Sequence, residues 1–368
     1  MIYSSLSSPP RRAIGAVALL VALLGSLVVF SRLSSGSNSN SVNHHRQAAA
    51  LPAHEVLSGP LAKNFGVVPK LIHQSWSSTE LPAKFEVWSR SCREQNPDWQ
   101  WVLWTDEDNL NLVKKYFPWF LEYYERLPGV IHRADLVRNM YMYVYGGMYA
   151  DLDVECLRPA NELFNEYNVS TVPYSSTYDG SSHSSSNPQN ERKAWFGRMG
   201  TDQKFAHSIP NAWMAATPGH PFFLLSLEGV VDKMREGDPK KIKTEALTGP
   251  VVLRERINLY QDKFADSKEL DQRLKDSPMV EVFGPQDRMK HSMEVLPFWN
   301  IYPYSWSRDG DAFRSLCSVN SPDYDRERCK LVIAADHWGS YFITYWSHSW
   351  SQTGHDTKNL KNIQGGQG

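Results

Sequence analysis

The chain has 368 residues, with 39 Lys and Arg against 40 Asp and Glu and a formal charge of −1. A balance this even leaves no basic footprint for DNA or RNA, while 41% hydrophobic and 21% charged residues are too apolar a mixture for a disordered chain. Four cysteines are too few for a disulfide scaffold, so the composition is that of a folded globular protein.

In chain order, residues 13–30 come first: they carry no charge and no proline, and they are flanked by Arg11, Arg12 and Arg32. At 1.5 Å per residue the run spans roughly 27 Å, enough for the hydrocarbon core of a thin bilayer. A cleaved signal peptide has a shorter apolar core, about 7–15 residues, and a small-residue cleavage site that does not follow Phe30 here. The run therefore predicts an uncleaved transmembrane signal anchor over 13–31, after a cytosolic tail of residues 1–12. With the basic pair on the N-terminal side, the positive-inside rule makes the protein single-pass type II, with a luminal body. Residues 32–62, rich in Ser, Asn and Ala, read as a solvated stem. The body is expected over 63–352, followed by a tail of residues 353–368.

Within the body, 70–74 reads as a strand, 83–95 as a helix and 100–104 as a second strand. Thr105 then caps a helix whose first turn holds Asp106, Glu107 and Asp108. This is a βαβ opening, which predicts an α/β fold with a largely parallel sheet, helices on both faces and ligands at the carboxyl ends of the strands. Trp99, Trp101 and Trp104 suit sheet packing, whereas Trp76 stands at a strand end. Of the cysteines, Cys317 and Cys329 are the favoured bridge, because the segment between them is polar and turn-like. Cys92 and Cys156 read equally well as a bridge or as buried thiols. Asn168-Val169-Ser170 is a glycosylation triplet in a predicted surface loop. The Ser- and Asn-rich tract 174–198 reads as an acceptor loop or an insertion.

The densest block runs from His132 to Asp153. Ala134, Val137, Tyr141 and Val144 form one stripe of a helix, and Asp135 and Arg138, three apart, share a neighbouring face. Gly146 and Gly147 end the helix, and 148–153 is expected to be a strand with Asp151 and Asp153 on the same side. About 15 Å of helix down and about 10–17 Å of strand back up bring Asp135, Arg138, Asp151 and Asp153 level. Two carboxylates crowded this way repel unless they share a cation, and a hard divalent ion bridging carboxylate and phosphate oxygens resolves the conflict.

Several segments together resemble glycosyltransferase family 32, the "DxD sugar-binding" enzymes that include fungal α-1,6-mannosyltransferases and inositol-phosphorylceramide mannosyltransferases. They are Val68-Pro69-Lys70-Leu71-Ile72-His73-Gln74-Ser75-Trp76, Leu103-Trp104-Thr105-Asp106, the Arg133 to Asp153 block with its Tyr145-Gly146-Gly147-Met148-Tyr149-Ala150-Asp151-Leu152-Asp153, Asn211 to Pro221, Thr248-Gly249-Pro250 and Ser347-His348-Ser349-Trp350. The resemblance implies a GT-A (Rossmann-like) glycosyltransferase domain, a nucleotide-sugar donor, Mn²⁺ or another divalent cation, and transfer with retention to give an α-linkage. By the same resemblance Asp135 and Arg138 hold the donor sugar, Asp151 contacts ribose or sugar, and Asp153 is a metal ligand beside Asp151 and His348. His73, Gln74, Trp76, Tyr149, Asn211 and Trp350 complete the nucleotide-sugar site. The implied protein is a Golgi membrane hexosyltransferase, with GDP-mannose the preferred donor and a glycan or glycolipid the acceptor. A UDP-sugar transferase, a catalytically silent carbohydrate-binding protein and a nucleotide-sugar hydrolase are the competing readings.

Overall fold

A computed structural model describes residues 48–177, 191–265, 268–275, 282–283 and 290–347. The anchor segment, most of the stem, His348, Trp350 and the tail lie outside these residues. Ten strands are described: β1 (Ala49–Ala50), β2 (Val68–Ser75), β3 (Gln100–Trp104), β4 (Gly147–Ala150), β5 (Val154–Cys156), β6 (Thr171–Pro173), β7 (Glu191–Gly197), β8 (Trp213–Ala216), β9 (Lys290–Leu296) and β10 (Phe342–Thr344). The main sheet has the order β1-β3-β2-β4-β8-β7-β9, and β6 joins β2 at its start. β5 and β10 form a separate antiparallel pair.

The opening βαβ reading holds: β2, the helix Ala83–Gln95, β3 and the helix Asp106–Tyr116 follow in that order. Thr105 caps the last of these through a reciprocal box, its Oγ1 accepting from the Asp108 N–H at 3.2 Å while its own N–H donates to Asp108 Oδ2 at 3.0 Å. The expectation of a largely parallel sheet holds, with β8 the one reversed strand among the described pairings of the main sheet. β1, β3, β2 and β4 are mutually parallel, but β8 runs antiparallel to both β4 and β7. That reversal matters for the site, because the start of an antiparallel strand lies beside the end of its neighbour.

Both faces of the sheet are buried. Along β8, Met214 and Ala216 enter one apolar core while Trp213 and Ala215 enter the other; along β4, Tyr149 faces the first, and Met148 and Ala150 the second. The helices Val130–Val144 and Phe222–Glu236 cover the first face. The helix Ala83–Gln95 covers the second with Phe85, Trp88 and Cys92. Gly146 and Gly147 turn the chain from the helix Val130–Val144 into β4 at φ of 65° and 85°. At Gly147 a Cβ would stand 2.5 Å from the Leu71 carbonyl oxygen, so β4 can lie against β2 only with glycine there.

Three further expectations are resolved. Both disulfides form, Cys92–Cys156 and Cys317–Cys329. Asn168 is exposed, at a φ of 53° in the turn after the helix Ala160–Glu166. Within the tract 174–198, residues 191–197 are not loop but β7, in the main sheet.

Candidate active site

The strand expected to reach Asp153 stops at Ala150. Asp151 to Asp153 form a turn in which the Val154 N–H donates to the Asp151 carbonyl at 3.1 Å, and the chain then leaves the main sheet as β5 to pair with β10. The two acids therefore project from the junction between two sheets, not from alternate positions of one strand. The Asp151 N–H donates to the Ala212 carbonyl at 2.8 Å, which ties this turn to the segment entering β8.

A cavity of about 750 Å³ opens at this junction, a size suited to a small-molecule ligand. Asp135, Arg138, Tyr149, Asp151, Asp153, Asn211 and Trp76 all line it. Arg138 is the hub. Its Nη2 lies 3.1 Å from both Asp135 Oδ1 and Asp151 Oδ1, its Nη1 donates to the Asn211 carbonyl at 2.7 Å, and its Nε donates to the Ala134 carbonyl at 3.3 Å. The guanidinium also sits 4.7 Å from the centre of the Tyr149 ring. Asn211 Nδ2 donates to Asp135 Oδ1 at 3.0 Å, and the Tyr149 hydroxyl donates to Asp151 Oδ1 at 2.6 Å. Asp153 is gripped from the other end of the body: the N–H and the Oγ of Ser347 both donate to its Oδ2, at 3.0 and 2.7 Å.

The electrostatics follow from burial. It pushes the Asp151 carboxyl up to about 7; Arg138 opposes the rise and Asp153 adds to it. Burial likewise raises Asp135, against the pull of Arg138 and Asn211. For Arg138 burial disfavours the charge, but Asp151, Tyr149 and Asp135 more than offset it and the pKa rises. Two carboxylates thus share one guanidinium while the third, Asp153, is held by Ser347, an arrangement that favours an added cation. The donor set fits a hard divalent ion. Asp151 and Asp153 both line the cavity and offer carboxylate oxygens, and the hydrogen bonds on Asp153 fall on Oδ2; among the described residues no group of three His, Cys, Asp or Glu is placed to hold an ion alone. An ion held by two carboxylates would complete its shell with water and substrate phosphate oxygens.

Two of the expected base-side residues do not reach the cavity. His73 is wholly buried, its Nδ1 accepting from Trp104 Nε1 at 3.0 Å and its Nε2 donating to the Gly146 carbonyl at 2.9 Å. Gln74 points to the opposite face of the sheet, where its Oε1 accepts from Ser89 Oγ at 2.6 Å and Trp101 Nε1 at 2.9 Å. Both are structural, because β2 is buried on both sides up to its last residue. Trp76, one residue beyond β2, does line the cavity and packs edge-to-face on Phe85 at 5.3 Å. The expected ligands His348 and Trp350 lie outside the described residues, although Trp346 and Ser347 bring the chain to the rim.

Sequence reasoning missed Asp106, Glu245, His207, Trp306 and Ser347, which also line the cavity. Asp106 and Ser347 stand in two of the segments that carry the family resemblance, Leu103–Asp106 and Ser347–Trp350, but were given no place in the site. His207, Glu245 and Trp306 carry no local pattern, since long-range folding alone brings them in.

The family described as "Glycosyltransferase sugar-binding region containing DXD motif" matches residues 82–170, which include Asp135, Arg138, Asp151 and Asp153. Inositol phosphoceramide mannosyltransferase 3 of Schizosaccharomyces pombe is 42% identical over 112 residues, 30% of this chain and 30% of that protein. Mannosyl phosphorylinositol ceramide synthase SUR1 of Saccharomyces cerevisiae is 28% identical over 166 residues, 45% of this chain and 35% of that one. The chain thus spans about a third of the length of these curated relatives. Among solved structures, PaToxG glycosyltransferase is 17% identical with a TM-score of 0.36, covering 57% of this chain and 75% of that one, a likeness too loose to bear on the fold. Residues 82–170 match the DXD-containing glycosyltransferase sugar-binding region, which bears out the resemblance to glycosyltransferase family 32 read from the block ending at Asp153.

Proposed function

We propose that the protein is a metal-dependent hexosyltransferase of GT-A architecture that moves mannose from GDP-mannose to a glycan or glycolipid acceptor with retention. The observation that carries this reading is the network of Asp135, Arg138, Asp151 and Asn211 beside Asp153, in one cavity at the carboxyl end of β4. The names of the relatives, which are mannosyltransferases, support mannose as the sugar. The apolar run at 13–30 supports a type II anchor, and with it a Golgi membrane location.

In this reading Asp151 and Asp153 hold the divalent ion, with His348 a third candidate ligand. An ion held there would supply positive charge against the diphosphate leaving group. Asp135 and Asn211 accept from and donate to the donor sugar's hydroxyls. Because the guanidinium of Arg138 is already committed to Asp135, Asp151 and the Asn211 carbonyl, Arg138 acts by fixing those groups. Trp76 borders the nucleotide. In a front-face reaction the bond from the anomeric carbon to the phosphate oxygen breaks, the acceptor oxygen bonds to that carbon on the same face, and the acceptor's proton passes to the leaving phosphate.

The test is the full chain incubated with Mn²⁺ and a panel of GDP- and UDP-sugars, with and without α-mannoside and inositol-phosphoceramide acceptors. Acceptor-dependent release of GDP from GDP-mannose is expected. Release at full rate without acceptor would identify a hydrolase, and no release from any donor would exclude both enzymes.

A further inference from the structure

Two aromatic residues on the cavity wall, His207 and Trp306, have no part in the site so far. Their rings meet edge-to-face at 5.4 Å, and Phe205, which does not line the cavity, packs on both: stacked on His207 at 5.4 Å and edge-on to Trp306 at 5.3 Å. The cluster is held in place. The Met199 N–H donates to the Ser208 carbonyl at 2.9 Å, closing the loop that carries His207, and Arg314 Nη2 donates to the Trp306 carbonyl at 2.8 Å.

Topology decides which substrate these rings face. Across the sheet the order is β3-β2-β4-β8-β7-β9. Trp76 and Asp106 follow β2 and β3; Asp151 and Asp153 follow β4; His207 lies between β7 and β8, and Trp306 follows β9. The acids at which the sugar–phosphate bond would break thus stand between two aromatic walls. A nucleotide binds at the carboxyl ends of strands in the parallel βαβ half, here the β2 and β3 side. A donor lying with its base by Trp76 and its diphosphate by Asp151 and Asp153 leaves the β7 and β9 side to the second substrate.

We propose that His207 and Trp306 form the acceptor subsite, stacking the apolar face of a hydroxylated six-membered ring, a hexose or a cyclitol. Rigid aromatic rings of this kind give large contact area at small entropic cost. The inference rests on the transferase reading and adds to it the location and chemical class of the acceptor.

The test uses the full chain and its Trp306→Ala, Trp306→Phe and His207→Ala variants, measuring KM for mannoside and inositol-headed acceptors at saturating donor, and the dissociation constant for GDP-mannose by calorimetry. Trp306→Ala should raise acceptor KM about tenfold with the donor constant within about twofold, and Trp306→Phe should recover most of the loss. A raised donor constant with unchanged acceptor KM would assign these rings to the nucleotide and overturn the inference while leaving the transferase reading intact. A wild-type chain that releases nucleotide from no donor would overturn both.

Discussion

At the scale of single residues the site is organised by groups that need not touch substrate. Arg138 spends its donors on Asp135, Asp151 and the Asn211 carbonyl, and Ser347 spends two on one oxygen of Asp153. Holding Oδ2 in this way restrains the rotamer of Asp153, which lines the cavity. The segment that delivers Ser347 is itself constrained: Trp346 adopts a φ of 53°, uncommon for a bulky side chain, and is anchored by its Nε1 donating to the Tyr304 carbonyl at 3.1 Å. Ser347→Ala should therefore weaken Mn²⁺ binding about tenfold, read by calorimetry on the protein without substrate, while the melting temperature shifts little. Unchanged Mn²⁺ affinity would mean that Asp153 needs no such support. The pairing of Asp135 with Arg138 and the approach of Asp151 were legible because helix and strand periods are local geometry. The grip of Ser347 on Asp153 was not, because it joins positions 194 residues apart.

At the scale of elements, two devices hold the turn that carries the acids. The first is β4 itself, which lies against β2 over the Ile72–Met148 and His73–Tyr149 pairs and begins at Gly147. His73 supports that start through the Gly146 carbonyl. Burial lowers His73 to about 3, although the bond to Gly146 favours the charged ring, so the folded protein keeps the ring neutral while the unfolded chain titrates near 6.5. Stability from the neutral ring is whole above about pH 6.5 and is lost as pH falls toward 3, by up to about 1.4 kcal/mol per pH unit. Denaturant midpoints measured from pH 7 to pH 4 should fall less steeply in His73→Asn than in the wild type; equal slopes would show that another group carries the acid sensitivity. The second device is the Cys92–Cys156 bridge, which fastens the helix Ala83–Gln95 to β5 three residues beyond Asp153. Its 64-residue separation predicts about 4 kcal/mol of stabilisation by loop entropy, against about 3 kcal/mol for the 12-residue separation of Cys317–Cys329. Replacing each pair by alanine and measuring chemical denaturation should show the larger loss for Cys92 and Cys156, and the reverse order would argue that strain or residual structure dominates. The sequence alone could not choose between a bridge and two thiols here, because the choice depends on β5 leaving the main sheet to pass beside that helix.

At the scale of the whole molecule, the near-zero net charge conceals a strongly charged centre in which Asp135 and Asp151 pair with Arg138 and Asp153 lines the same cavity. The α/β character and the run β2, helix Ala83–Gln95, β3 were readable because each declares itself within a dozen residues, whereas β1 and the helix Ala53–Ser58 fall in the segment read as stem. The reversal at β8 was not, since nothing in Trp213-Met214-Ala215-Ala216 states its direction, yet that reversal sets Asn211 beside Asp151. The apolar run at 13–30 remains a sequence-level proposal for an anchor; among the described residues no helix is long and apolar enough to cross a membrane. The central claim, metal-dependent hexosyl transfer at the acids after β4, is tested most directly by the Mn²⁺ dependence of mannose transfer from GDP-mannose in the full chain, its Asp151→Ala variant and its Asp153→Ala variant. The wild type should saturate with Mn²⁺, and each variant should lose about 10²-fold or more of its turnover while still unfolding cooperatively; a variant that keeps the wild-type rate, or wild-type transfer that persists in EDTA, would contradict the claim.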